Sequence, residues 1–179
     1  MRKILEKQTL LYPMPVLIIG TYDENGKADA MNAAWGGIKD TNQIYICLSP
    51  EHKTVKNLLK TKAITVSMGT SEQVVACDYV GIASGNREEN KIEKTGWTVS
   101  KAHSVNAPIF EELPFALECE VESYDEESCM LVANIKNISC DEKILTDKNK
   151  IDVKKLRPIT FDSSLSLIHI SEPTRRTPI

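Results

Sequence analysis

Residues 16–31 read Val-Leu-Ile-Ile-Gly-Thr-Tyr-Asp-Glu-Asn-Gly-Lys-Ala-Asp-Ala-Met, and their order decides what kind of fold the chain can adopt. Val16 to Thr21 is an apolar run of strand length. Asp23-Glu24-Asn25-Gly26 is a turn with its glycine where a positive φ is needed, and Lys27 to Met31 begins the return strand. The stretch therefore predicts an antiparallel hairpin.

Working outward, Ile44 to Leu48 and Ile64 to Met68 read as further strands. They flank a helix predicted over Pro50 to Lys60, whose inward stripe is Val55, Leu58 and Leu59. Ser71 to about Ala83 reads as a mixed, helical segment leading into Ser84-Gly85-Asn86. A charged, irregular stretch then runs to Pro108 and Pro114, and an excursion of that length usually covers a site or a partner. Leu117, Cys119 and Val121 alternate with Glu118, Glu120 and Glu122, the period of a strand with one buried and one solvated face. Met130 to Ile138 is its expected partner across the turn Asp125-Glu126-Glu127-Ser128, and Ile159 to Phe161 is a last short strand after Pro158. No internal repeat is visible. Strands outnumber helices and are joined by short turns except where one helix crosses. The expected fold is therefore mainly β, an antiparallel β-barrel with a few peripheral helices, because closure removes exposed sheet edges. A doubly wound parallel sheet would need alternating helices that are not there.

Composition narrows the function. A chain of 179 residues with 41% hydrophobic side chains supports one domain with a real core. A net charge of −3, from 22 basic and 25 acidic residues mixed along the chain, offers no basic field for a nucleic-acid backbone. No apolar run approaches the roughly 20 residues needed to span a bilayer, and Met1 to Gln8 is too charged for the core of a signal peptide. The expectation is a cytoplasmic protein, away from membranes and nucleic acid. The five cysteines are odd in number and widely spaced, without a Cys-x-x-Cys pair, and the three histidines are scattered, so neither a zinc site nor a disulfide framework is expected. Cys47 and Cys119 lie in apolar runs and are expected to pack in the core.

Two segments could bind a ligand. Leu48 to Asn57 reads Leu-Ser-Pro-Glu-His-Lys-Thr-Val-Lys-Asn, a strand end that breaks straight into a helix start. With Ser49 as cap and Pro50 at the first helical position, the free amides and the helix dipole would form an anion seat, supplemented by Lys53 and Thr54. Ala28 to Gly37 reads Ala-Asp-Ala-Met-Asn-Ala-Ala-Trp-Gly-Gly, small residues followed by one indole. Small side chains let a flat ligand approach the backbone, and Asn32 adds a donor and an acceptor; the alternative is that Ala33 and Ala34 pack tightly and Trp35 is core. There is no nucleophile elbow, phosphate loop, dinucleotide fingerprint or catalytic cluster. No catalytic side chain is assigned, so an enzyme of this sequence would rely on a cofactor for its chemistry.

These residues resemble a known family. Tyr12-Pro-Met-Pro-Val-Leu-Ile-Ile-Gly-Thr21, the turn Asn25-Gly26, Ala30-Met-Asn-Ala-Ala-Trp35, then Leu48-Ser-Pro50 with Lys53-Thr54 and Asn57-Leu58, are similar to the flavin reductase-like family with the FMN-binding split barrel, its flavoredoxin-type branch in particular. Asp78-Tyr-Val-Gly81, Ser84-Gly85 with Lys91, and Leu113-Pro114 to Glu118 continue the match in the same order, from about Leu11 to Phe161. The resemblance implies a Greek-key-like antiparallel split barrel and an oxidoreductase that passes electrons through bound FMN. It also implies a homodimer with the flavin near the subunit interface. Carried over by position, Asn32, Ala33, Ala34 and Trp35 would lie along the flavin ring. Ser49, Pro50, Lys53 and Thr54 would hold the phosphate, and Ser84, Asn86 and Lys91 would come from the long loop.

The chain departs from the family twice. The Gly-Asp-His signature of many NAD(P)H-dependent members is replaced by Ile138-Ser-Cys-Asp-Glu142. Two electron sources stay open: NAD(P)H directly, or a partner protein that reduces the chain as a carrier or flavin-binding module. The second departure is Leu165 to Ile179, Leu-Ser-Leu-Ile-His-Ile-Ser-Glu-Pro-Thr-Arg-Arg-Thr-Pro-Ile, which lacks helical period and the family's aromatic and glycine-containing segment. Residues 1–164 are read as the split-barrel domain and 165–179 as a non-native or disordered tail.

Overall fold

The hairpin forms where the alternation and the turn ask for it. The structure, a computed structural model, describes residues 1–162 and 166–168. After a short strand β1 (Met14–Pro15), β2 (Leu17–Tyr22) pairs antiparallel with β3 (Ala28–Ala33), Leu17 opposite Ala33 and Tyr22 opposite Ala28. Asp23 organises the turn: its Oδ1 accepts from the amides of Asn25 and Lys27, both at 2.9 Å, and Gly26 takes φ +75°. Both faces of this hairpin are covered. Leu17 and Ile19 point into one apolar cluster and Val16 and Ile18 into another, which is why the run is apolar throughout instead of alternating.

β4 (Gly36–Asp40) and β5 (Gln43–Cys47) follow, then helix α1 (Lys53–Thr61) and β6 (Ala63–Met68). A single turn of 3-10 helix leads into α2 (Val74–Ile82). Next come α3 (Lys91–Thr95), the small hairpin of β7 (Val99–Lys101) and β8 (Pro108–Phe110), and the long pair β9 (Phe115–Asp125) and β10 (Met130–Cys140). α4 (Val153–Leu156), β11 (Thr160–Asp162) and β12 (Ser166–Ile168) complete the described chain. The main sheet has seven strands in the order β3-β2-β6-β9-β10-β5-β4, every neighbouring pair antiparallel. Laid flat, its outer strands would stand roughly 29 Å apart at the usual strand spacing. Yet β3 and β4 are joined by Ala34 and Trp35 alone, a link that reaches at most about 11 Å. The sheet must therefore curl until its two edges approach each other, and the fold is mainly β, a curled seven-strand antiparallel half-barrel with peripheral helices, in line with the antiparallel barrel expected from the sequence.

The barrel interior is filled by Ile19, Ile44, Ile46, Ile64, Val66, Cys119 and Leu131, with Val55 and Leu58 of α1 packed against them. A second cluster lies outside the wall. There Ile18 and Ala30 meet Cys77 and Val80 of α2, Ile92 of α3, and Trp97, whose ring lies tilted at 40° against Phe110 with 5.0 Å between ring centroids. The long excursion is thus a second layer against the outside of β2 and β3.

Several expectations are corrected. α1 begins at Lys53, with His52 at the cap position and no side-chain cap bond, so Ser49 is not the cap and Pro50 is not the first helical residue. The His52 amide donates to Ser49 O at 3.3 Å, closing a separate turn in which Pro50 sits where a β-turn favours it. Leu59 is exposed, and the inward face of α1 is instead Thr54, Val55, Asn57 and Leu58. Cys119 is buried as expected, but Cys47 is only half-buried. Glu118 is fully buried, not solvated: its carboxylate accepts from Ser104 N at 2.6 Å and Asn137 Nδ2 at 2.9 Å. β4 and the β7–β8 hairpin are absent from the sequence reading. The expected boundary at 164 and most of the expected tail lie outside the described residues; of that segment, 166–168 pair with β11, Leu167 opposite Phe161. Among the described residues no helix is long and apolar enough to cross a membrane.

Candidate functional site

The link from β3 to β4 stands at the seam where the curled sheet meets itself, so Ala34 and the indole of Trp35 are presented at an opening, while half-buried Ala33 also packs against the barrel cluster. Trp35 is 55% exposed, and its carbonyl accepts from Cys47 N at 2.7 Å, tying the seam to β5. A cleft of about 350 Å³ opens here, lined by Asn32, Ala33, Ala34, Trp35 and Cys47 from the barrel, Asp78, Gly81 and Ile82 from α2, and Phe161. All four residues expected along the ring are therefore brought together. The Asn32 side chain is turned toward α2, where Nδ2 donates to Cys77 O at 3.1 Å. A Cβ on Gly81 would lie 2.1 Å from that same nitrogen, so glycine at 81 is what lets the helix close on Asn32.

A second cleft of about 360 Å³ adjoins the first, sharing Gly81 and Ile82. Its walls include Lys53 and Thr54 from the first turn of α1, Ser84, Gly85, Asn86 and Arg87 from the loop after α2, and Lys91 from the start of α3. Five expected residues, Lys53, Thr54, Ser84, Asn86 and Lys91, meet in this cleft. Ser49 and Pro50 line neither cleft, although Glu51 and His52 of the same turn line the second.

The most deeply placed carboxylate in the second cleft is Asp29, which carries no signal of its own in the sequence. It is 4% exposed; Thr54 Oγ1 donates to its Oδ2 at 2.9 Å, and Lys91 Nζ lies 3.6 Å from its Oδ1. Burial pulls the Lys91 pKa below the ordinary lysine value, only partly offset by the attraction of the Asp29 carboxylate beside it. A Cβ on Gly85 would come within 2.5 Å of Asp29 Oδ1, so the loop reaches the carboxylate only with glycine there. Lys53 is held at 3.3 Å from Asp23 Oδ2. Burial alone would raise the Asp23 pKa, but the amides of Lys27 and Asn25 and the Lys53 ammonium outweigh it, and the net shift is downward. Asn86 knits the loop to α1: Nδ2 donates to Glu51 O at 3.0 Å and Oδ1 accepts from Lys56 Nζ at 3.2 Å. Its amide is therefore occupied by the scaffold.

Chemically, the two clefts divide the labour. The one at the seam is lined by small and aromatic groups, with Cys47 and Asp78 as its titratable members. The other gathers Lys53, Arg87 and Lys91 around Thr54 and Ser84, a donor set suited to a phosphate group, with the carboxylates of Asp29 and Glu51 in the same wall. Among the described residues, neither cleft places a nucleophile within hydrogen-bond reach of a base other than the buried Thr54 hydroxyl on Asp29.

Comparison with known proteins identifies the family and the fold. A family model described as "Flavin reductase like domain" matches residues 9–154. Among solved structures, a flavoredoxin of Desulfovibrio vulgaris (Miyazaki F) superposes with a TM-score of 0.90 at 30% identity, covering 99% of this chain and 97% of that one. A flavoredoxin from Methanosarcina acetivorans gives 0.83 at 23% identity over 99% and 97%. A nitrilotriacetate monooxygenase component B from Bacillus cereus gives 0.77 at 18% identity over 97% of both chains. The last two show likeness of fold. A comparison with curated proteins found no match.

Proposed function

The chain belongs to the flavin reductase-like family, and from that premise we propose that it is an FMN-dependent oxidoreductase of the flavoredoxin type, with one flavin lying across both clefts. The observation that carries this reading is the continuity of the clefts through Gly81 and Ile82: an opening lined by small residues and an indole leads directly into one that holds Lys53, Arg87 and Lys91 beside the carboxylates of Asp29 and Glu51. The residues present fit the group. Lys53, Lys91, Thr54 and Ser84 would neutralise and hydrogen-bond the phosphate, while Ala33, Ala34 and Trp35 would lie against the ring. When bound, FMN supplies the redox chemistry, accepting and releasing a hydride or electrons at the ring. The chain's own residues bind and orient; none is assigned as acid, base or nucleophile.

Trp35 and Ile82 stay 55% and 78% exposed although both line the ring cleft, which supports a homodimer in which a second copy shields the ring. The functional unit in this reading is 1–164, working in the cytoplasm. A second reading, an electron carrier or flavin-binding module reduced by a partner protein, draws on Ile138 to Glu142 standing where many relatives that use NAD(P)H carry Gly-Asp-His. The test is an absorption spectrum of the purified protein, then titration with FMN and riboflavin. Flavin bound with preference for FMN supports the proposal, and absence of any FMN binding refutes it. Rapid bleaching by NADH or NADPH in stopped flow identifies a reductase, and bleaching only by a reduced protein identifies a carrier.

A further inference from the structure

We propose that Asp29 is an internal anion that occupies the phosphate-binding groups of the second cleft and competes with an incoming phosphate for them, an inference that rests on reading that cleft as the phosphate seat. Thr54 and Lys91 come from different elements, α1 and α3, and both converge on one carboxylate from β3. The carboxylate meets them as a phosphate would, one oxygen on the hydroxyl and the other on the ammonium. All three residues are buried, at 4% exposure for Asp29, 1% for Thr54 and 4% for Lys91, and all three line the same cleft. At 3.6 Å the Lys91 contact is longer than the roughly 2.7–2.9 Å of a charge-assisted hydrogen bond. The ammonium is thus held in place with donor capacity to spare, and it can turn to a second anion without leaving the first.

This arrangement has two effects of opposite sign. While the seat is empty, Asp29 compensates a buried ammonium that would otherwise be unpaired and strongly destabilising. Once a phosphate arrives, the same carboxylate is a like charge beside it and weakens its hold. Asp29 therefore positions Lys91 and Thr54 at a cost in affinity. Removing the charge while keeping the shape should expose the trade: Asp29→Asn leaves Lys91 seeking an anion. A merely structural Asp29 predicts the reverse, since damage to a buried strand residue would impair folding and binding together.

The experiment uses the full chain. Binding of inorganic phosphate, FMN and riboflavin is measured for the wild type, D29N and the doubly neutral D29N/K91Q. The expected result is that D29N melts lower than the wild type without anions, yet binds inorganic phosphate about tenfold more tightly, with riboflavin affinity unchanged. In D29N/K91Q the gain disappears. Phosphate affinity in D29N equal to or weaker than wild type overturns the proposal, as does a gain that survives K91Q. If D29N fails to fold, refolding is repeated with phosphate and with chloride at equal ionic strength. Rescue by phosphate alone supports the proposal, and no rescue overturns it. Wild-type FMN titration separates the two ideas. Tight FMN binding with no D29N effect removes the role of Asp29 and leaves the flavin reading intact. Absent FMN binding removes the flavin reading, while the phosphate comparison still decides Asp29.

Discussion

Gly81→Ala pits a local preference against a tertiary contact, and the two predict opposite signs. Gly81 lies within α2, where alanine is favoured over glycine by up to about 1 kcal/mol. On helix propensity alone the variant would be more stable. The new methyl, however, would stand 2.1 Å from Asn32 Nδ2 and 2.4 Å from its Cγ and Oδ1, well inside van der Waals contact. Forcing it in costs ~1–3 kcal/mol as overpacking. Turning Asn32 away also breaks its bond to Cys77 O, worth ~1 kcal/mol. Set against the helix gain, the net loss is about 2 kcal/mol, or roughly 4–8 °C in Tm for a chain of this size. Urea and thermal unfolding of four proteins decide it: wild type, G81A, N32A and N32A/G81A. In the N32A background the obstacle is gone, so G81A should become stabilising by up to about 1 kcal/mol, and the sign reversal is the signature of the contact. Because Gly81 and Asn32 line the ring cleft, G81A should also weaken flavin binding. If G81A is as stable as the wild type and binds FMN equally well, the account of the α2 to β3 contact is wrong.

Lys53→Ala with Thr54→Ala should weaken FMN about 10–100-fold by removing two donors to the phosphate, yet leave riboflavin affinity and the barrel's β-sheet circular dichroism unchanged. Equal losses for both flavins would place the phosphate elsewhere. Asp23 has a folded pKa below its ordinary carboxylate value, so its contribution to stability is complete above about pH 4 and disappears as pH falls through the folded value. The stability gap between wild type and Asp23→Asn, followed by urea unfolding, should therefore be flat near neutrality and close in acid; a gap that persists at the lowest pH where the fold survives contradicts the assignment. Burial lifts the thiols of Cys77 and Cys119 to about 11 and about 12, while Cys140 is exposed. At pH 8 a thiol-reactive disulfide reagent should label Cys140 in the native protein and reach Cys77 and Cys119 only on unfolding, which peptide mapping would verify.

What could be read from the chain follows from how locally each feature is determined. The β2–β3 hairpin is legible because Asp23 to Gly26 carries its own turn chemistry, and β9 because its apolar residues alternate. Even there, Glu118 breaks the rule, since its burial depends on an amide at Ser104 and on Asn137 in the neighbouring strand. β4 is illegible for a different reason. Gly36 and Gly37 are poor strand formers, and they are extended because β5 supplies a partner once the sheet has curled. Ser49-Pro50 misleads because the same residue types open helices and occupy turns, and only the position of the first helical hydrogen bond separates the two. The site divides along the same line. Ala33, Ala34, Trp35, Lys53, Thr54 and Lys91 carry a signal of residue type or family motif. Asp29, flanked by alanines in a hairpin, looks like an ordinary solvated strand position. Its meaning arises only when α1 and the segment around Lys91 fold over β3 and bury it. Glycines 81 and 85 bridge the two cases: they belong to the matched motif, but the reason for them is the Asn32 amide and the Asp29 carboxylate they admit. The structure thus turns a resemblance in spacing into contacts that can be removed singly and in pairs.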